Sequence, residues 1–207
     1  MRVLLLVLGV LMLGAASAGN DPEAWFRMGR AYDVGEGTEQ NHAQALQWYL
    51  LAAEQGHVLA QYTAGQFYTL GTGSDVDYAA AAEWYRRAAL QGHAGAQQSL
   101  AAMYDLGRGV AQNFDEAAIW YRRAAEQGAA NAQLWLGNRY ANGRGVPVDP
   151  VRAYVWFSLS ADAATGVEAR LAAANRDAAA ALLSPAKRAE AQDLARICIQ
   201  SQLKICD

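Results

Sequence analysis

The sequence predicts an all-α fold, a right-handed α-solenoid of four 36-residue helix-turn-helix repeats with C-terminal capping helices, and three recurrences carry that prediction. Met28-Gly29-Arg30-Ala31-Tyr32 returns as Ala64-Gly65-Gln66-Phe67-Tyr68, as Leu100-Ala101-Ala102-Met103-Tyr104 and as Leu136-Gly137-Asn138-Arg139-Tyr140. The same interval carries Gly35/Gly37 to Gly71/Gly73, Gly107/Gly109 and Gly143/Gly145. It also carries Trp48-Tyr49 to Trp84-Tyr85, Trp120-Tyr121 and Trp156-Phe157. An invariant period of this length marks a stacked array in which each unit buries one face against the next.

The first 18 residues are set apart from the array. Val3 to Leu13 is an apolar run broken only by Gly9, and Ala16-Ser17-Ala18 supplies small residues for a signal peptidase. This is the pattern of a cleaved signal peptide over residues 1–18, with the mature chain starting at Gly19. Val3 to Ala18 is shorter than the roughly 20 apolar residues that span a bilayer. No cysteine follows the run, so a lipid anchor is not expected. The product is predicted to be periplasmic or secreted, without stable membrane insertion after cleavage. The chain carries 17 basic and 20 acidic side chains; without Arg2 the balance is 16 against 20, a net charge of −4. A nucleic-acid partner would call for a basic stripe, which this composition does not supply.

Each repeat reads as two helices. Asp21 suits an N-cap and Pro22 the first helical position. Ala24, Met28, Gly29 and Tyr32 then fall on one helical face, followed by Ala60/Ala64/Gly65/Tyr68, Ala96/Leu100/Ala101/Tyr104 and Ala132/Leu136/Gly137/Tyr140. The paired glycines end this helix because they accept the left-handed conformation. Asn41, Asp77, Asn113 and Asp149 suit the N-cap of the second helix, and Asn113 with Glu116 has the spacing of a capping box. The second helix predicts a buried stripe of Ala45, Trp48, Tyr49, Ala52 and Ala53 and its equivalents, closed by Gly56, Gly92 and Gly128.

Residues Ala60 to His93 and their counterparts resemble the Sel-one-like repeat, a relative of the tetratricopeptide repeat. The shared pattern is small-x-x-x-apolar-Gly-x-x-Tyr, Gly-x-Gly, an Asp/Asn cap, Ala-x-x-Trp-Tyr and Ala-Ala-x-x-Gly. The resemblance implies a helical solenoid with adaptor and scaffold roles between proteins, without naming one partner. It places four repeats in residues 19–164, at about 23–58, 59–94, 95–130 and 131–166. The fourth loses the Ala-Ala-Glu-Gln-Gly ending in favour of Ser160 to Ala164. Residues 167–207 then read as a cap: an alanine-rich helix, and a last helix opened by Ser184-Pro185 whose Lys187, Arg188, Glu190, Gln192, Asp193 and Arg196 give the array a polar end.

Cys198 and Cys206 are the only cysteines. Eight residues of helix span about 12 Å, whereas a disulfide needs Cα atoms within about 4.4–6.8 Å. Pairing therefore requires a turn near Gln200 to Gln202. An even count in an exported chain favours it; redox sensing and an intermolecular bridge are the alternatives. His57 and His93 occupy equivalent places after the second-turn glycine, where a repeated structural role is expected rather than catalysis. No histidine has ligand spacing, so neither a metal nor a cofactor is expected. Gly107-Arg108-Gly109 lacks a preceding strand and reads as a turn. Arg86-Arg87 and Arg122-Arg123 read as solvated outer faces.

Partner-binding candidates come from first-helix rows that vary between repeats. These are Phe26, Tyr62, Gln98 and Leu134; Arg30, Gln66, Ala102 and Asn138; and Arg27, Thr63, Ser99 and Trp135. They are expected opposite the buried stripe, on the concave side, with aromatic and arginine residues as anchors. The leading functional expectation is a non-catalytic scaffold of the bacterial periplasm binding a peptide or protein. A cell-wall or β-lactam-directed hydrolase is the alternative, because some exported relatives bind penicillin-like compounds. Those relatives resemble cysteine-stapled arrays, and no repeat here contains a cysteine.

Overall fold

The computed structural model describes residues 21–203 and Cys206. The predicted signal peptide, residues 1–18, lies outside them. Ten helices and no strand are found among the described residues. They are α1 Pro22–Val34, α2 His42–Glu54, α3 Val58–Leu70, α4 Tyr78–Leu90, α5 Ala94–Leu106, α6 Phe114–Ala125, α7 Ala130–Asn142, α8 Pro150–Ala163, α9 Gly166–Ala181 and α10 Pro185–Gln200. The fold class is an all-α solenoid built from four helix pairs and two further helices. The chain divides after Arg87, inside α4, into two compact bodies. In the first, α2 packs on α1 and α3. In the second, α6 packs on α5 and α7, and α8 packs on α7, α9 and α10.

The predicted caps form. Asp21, Asn41, Asp77, Asn113 and Asp149 each accept a backbone N–H from the first turn of the helix they open. Their own N–H groups are also used: Asn41, Asp77, Asn113 and Asp149 donate to the carbonyls of Tyr32, Tyr68, Tyr104 and Tyr140 at 2.8–2.9 Å. This corrects the capping box expected at Asn113. Its N–H is already committed to Tyr104, and the Glu116 carboxylate instead accepts from Trp120 Nε1 at 3.2 Å. Gly35, Gly71, Gly107 and Gly143 end the first helices at φ of 65–76°, the left-handed region that a side chain would resist.

The core of each pair is one close contact. A Cβ added to Gly29, Gly65 or Gly137 would lie 2.6 Å from the ring of Tyr49, Tyr85 or Phe157 respectively. The second helix thus lays its aromatic ring directly on first-helix backbone. The third repeat has Ala101 at the equivalent position, and it is fully buried. Around this contact Ala45, Ala52, Ala53, Ala117, Ala124 and Ala125 are inaccessible to solvent, as predicted. The tryptophans depart from the expected stripe: Trp48 and Trp84 are half-buried, whereas Trp120 and Trp156 are buried. Trp84 carries the Arg87 guanidinium over its ring at 4.7 Å, which covers one face without enclosing it.

Between repeats, sequence reasoning missed one device. Gln61, Gln97 and Gln133 recur at the repeat interval and are buried. Their Nε2 groups donate to the carbonyls of Ala53, Ala89 and Ala125 at 3.0–3.2 Å, satisfying acceptors at the end of the preceding second helix. His57 and His93 hold the structural role expected of them. Each Nδ1 accepts the N–H of Ala60 or Ala96 at 3.1 Å, capping α3 and α5. His57 Nε2 also meets Glu23 Oε2 at 3.0 Å. Ala129, in the third position, offers α7 no side-chain cap.

The two terminal helices, α9 and α10, both pack on α8. Ser184 Oγ accepts from Lys187 N–H at the start of α10, which turns Ala191, Ala195 and Cys198 inward and its charged residues outward. Cys198 and Cys206 form a disulfide with Cα atoms 4.6 Å apart. The required turn falls at Gln202 and Leu203, both at positive φ, and is closed by Leu203 N–H on the Cys198 carbonyl.

Two outcomes test this account. Gly65→Val is expected to destabilise the protein by about 1–3 kcal/mol through overpacking against Tyr85, whereas Ala101→Gly should cost no more than about 1 kcal/mol; urea unfolding midpoints report both. His93 supplies the second. Burial lowers its pKa, and its cap needs the neutral ring. The unfolded chain therefore takes up the proton first, so the stability is complete above about pH 6.5 and is lost as the pH falls from there through the folded pKa. Thermal melts from pH 7.5 to 5.5 should fall more steeply for the wild type than for His93→Asn, which caps without titrating.

Candidate partner-binding surface

The candidate residues separate into those that build the helix pairs and those left facing solvent. In the first body, Phe26 is half-buried, stacked on His57 at 4.7 Å and tilted on Tyr49 at 5.5 Å. Tyr62 lies against Tyr85 at 5.8 Å, and its hydroxyl accepts from Gln66 Nε2 at 3.1 Å. Arg27 and Arg30 on α1 are exposed. In the second body, Leu134 is buried, and Gln98 is half-buried in a shallow cleft with Asn131, Thr165 and Glu168. The row Phe26/Tyr62/Gln98/Leu134 therefore does not stand opposite the buried stripe. Phe26 and Tyr62 lie on the flank where first and second helices meet, because one residue of helix turns a side chain by 100°, enough to carry it into the interface.

Trp135 is the large aromatic left open. It is 43 % exposed on α7 and stacked on the buried Tyr121 ring at 6.2 Å and 22°. That stack fixes one face of the indole and presents the rest to solvent. Behind it lies a feature that the periodic reading did not single out: Arg139, at the place of Phe67 and Met103, is buried and grips Asp105 with two hydrogen bonds of 2.7 and 2.9 Å. Its guanidinium also sits 5.8 Å from the Tyr121 ring. Burial, and then the Asp105 charge, hold the Tyr121 hydroxyl well above the usual tyrosine range, so it stays protonated. Tyr49 is in the same state, through burial and then Asp33, whose carboxylate it meets at 3.3 Å. Chemically this is a braced platform rather than a reactive centre.

Asn138 sits apart from Trp135, at the mouth of a cleft of about 410 Å³ between α7, α8 and α9. Its carboxamide oxygen meets Asn175 Nδ2 at 3.5 Å, and its backbone carbonyl accepts from Asn142 Nδ2 at 2.9 Å. Arg122, one of the dibasic pair expected on a solvated face, is half-buried and donates to the Tyr140 hydroxyl instead. Among the described residues, no group of three or more His, Cys, Asp or Glu side chains is placed to hold a metal ion. No helix among them is long and apolar enough to cross a membrane.

The Sel1 repeat family matches residues 22–57, 58–93, 94–128 and 130–164, and the chain belongs to that family. Proteins of this family are generally protein-interaction scaffolds and typically non-catalytic. Among solved structures the chain is similar to a Sel1 repeat protein from Oxalobacter formigenes, with 42 % identity, a TM-score of 0.71, and coverage of 75 % of this chain and 63 % of that one. It is also similar to c5321, a protective antigen present in uropathogenic Escherichia coli strains and displaying an SLR fold. Here the identity is 29 % and the TM-score 0.57, with coverage of 91 % of this chain and 48 % of that one. The chain thus spans less than two thirds of either relative. Comparison with curated proteins gives no match.

The Asp105–Arg139 pair makes a sharp prediction. Asp105→Ala leaves a buried guanidinium uncompensated and should cost about 3–5 kcal/mol. Asp105→Ala with Arg139→Met, which restores the residue found at the preceding repeat, should recover most of that loss in a denaturant titration.

Proposed function

We propose that this protein is a non-catalytic interaction scaffold of the bacterial periplasm, which holds a peptide or protein partner on the exposed side of its first helices. Trp135 carries the reading. A half-exposed indole, pre-ordered by its stack on Tyr121, is the kind of side chain that supplies binding energy at interfaces at little entropic cost. In the body that holds Trp135, the polar Ser99 and Asn138 on α5 and α7 are the accompanying contacts, and in the other body the exposed Arg27 and Arg30 on α1 are the corresponding candidates. The Cys198–Cys206 disulfide supports an oxidising compartment. The repeat family supports the scaffold role.

The test is site-specific photocrosslinking of the full chain in its native envelope. A benzoylphenylalanine at Ser99 should capture one dominant partner, and Trp135→Ala should weaken that capture roughly thirtyfold, as loss of an interface anchor does. The same probe at Ile119, exposed on the second helix α6, should capture none. Equal capture from Ile119, or none from Ser99, would overturn the assignment of the face.

A further inference from the structure

The fourth repeat differs from the others at one connected place. Where a first helix ends, Asp33, Thr69 and Asp105 are followed by Ala141; on the second helix, Tyr49, Tyr85 and Tyr121 are followed by Phe157. These positions touch. Tyr49 donates to Asp33 at 3.3 Å, Thr69 Oγ1 meets the Tyr85 hydroxyl at 3.2 Å, and Asp105 stands beside Tyr121. The fourth repeat has lost both polar partners together. A third position changes with them: α9 begins 36 residues after α7 and so takes the place of a fifth first helix, putting Asn175 where α7 has Arg139. In the third repeat Asp105, Tyr121 and Arg139 fill the space between helices with a bidentate ion pair. In the fourth, Ala141, Phe157 and Asn175 leave a cleft of about 410 Å³. Pro150 widens it further, standing where the earlier repeats carry His42, Tyr78 and Phe114.

The lining indicates what enters. No charged residue borders the cleft. Its buried floor is Ala153, Phe157 and Ala179, the exposed Ala141 stands at its edge, and its rim carries the carboxamides of Asn138, Asn142 and Asn175. We infer that the α7–α8–α9 cleft is a pocket for an uncharged apolar side chain of an extended peptide, whose main-chain amides pair with the asparagine carboxamides at the rim. A carboxamide has the donor and acceptor of a peptide group, and the 3.5 Å contact between Asn138 and Asn175 is long enough to exchange for a better one. The volume falls in the range of about 300–1,000 Å³ typical of ligand sites. A charged side chain would be desolvated there without a counter-charge. The inference rests on the scaffold reading above and specifies the class of segment bound.

The experiment uses the full mature chain and two blocked probes, acetyl-Ser-Leu-Ser-amide and acetyl-Ser-Asp-Ser-amide, titrated while the asparagine side-chain amide signals are followed by NMR. The leucine probe should give saturable shifts at Asn138, Asn142 and Asn175, and the aspartate probe should bind at least tenfold more weakly. Ala141→Asp/Phe157→Tyr/Asn175→Arg, which rebuilds the third repeat's ion pair in the fourth, should abolish the shifts while keeping helicity and a cooperative melt. If that variant fails to fold, Ala153→Leu fills the floor instead and should abolish them likewise. Absence of saturable shifts, equal binding of both probes, or binding unchanged in a folded filled variant would overturn the pocket. Partner capture at Ser99 would persist in that event if only the pocket is wrong, and would fail as well if the scaffold reading is wrong.

Discussion

Everything in the repeat follows from how near the two helices of a pair approach one another. A ring of Tyr49, Tyr85 or Phe157 lies on bare backbone at Gly29, Gly65 or Gly137, closer than a side chain would permit. That approach forces alanines onto the surrounding positions, because any larger residue would hold the helices apart. It also explains why the aromatic position varies only between Tyr and Phe. Dispersion between the ring, the backbone it covers and the surrounding alanines fastens the pair.

With the helices set this closely, the polar groups at their ends have little access to water and must be satisfied internally. Four different devices do so, each at the repeat interval. Asn or Asp side chains cap second helices, tyrosine carbonyls receive the cap N–H groups, buried glutamines close the ends of second helices, and histidines cap α3 and α5. Their recurrence shows that the repeat is defined by hydrogen bonding as much as by apolar pattern. A buried glutamine in a repeating alanine-rich context is then a structural residue, with its amide nitrogen as the working atom.

The repeats are not equivalent where the pattern permits variation. At the end of the first helix the tyrosine hydroxyl meets Asp33 in the first repeat and Thr69 in the second, Asp105 stands near it in the third, and in the fourth polar group and hydroxyl are both gone at Ala141 and Phe157. The paired loss avoids a buried orphan group, which a single replacement would have created. In the third repeat the same space accepts a buried arginine because Asp105 meets it with two hydrogen bonds. One scaffold thus holds a buried ion pair in one repeat and an open apolar cleft in the next.

By itself the sequence determined the helix pairs, their period, the glycine caps, the Asn/Asp caps and the C-terminal helix behind Ser184-Pro185, because these depend on local backbone preference and on helical spacing within one element. It also set the condition for the Cys198–Cys206 bridge, a turn near Gln202. The first-helix rows were only partly legible. Phe26 and Tyr62 belong to the flank of a helix contact and Leu134 is buried, whereas Trp135 stays open. That distinction depends on how each first helix is rotated about its axis, which only packing against its neighbours fixes. The Asp105–Arg139 pair and the cleft beside Asn138 are tertiary for the same reason. Each brings together residues from different helices, about one repeat apart in the chain, and only the stacking of those helices decides whether the space between them is filled by a side chain or left for a ligand.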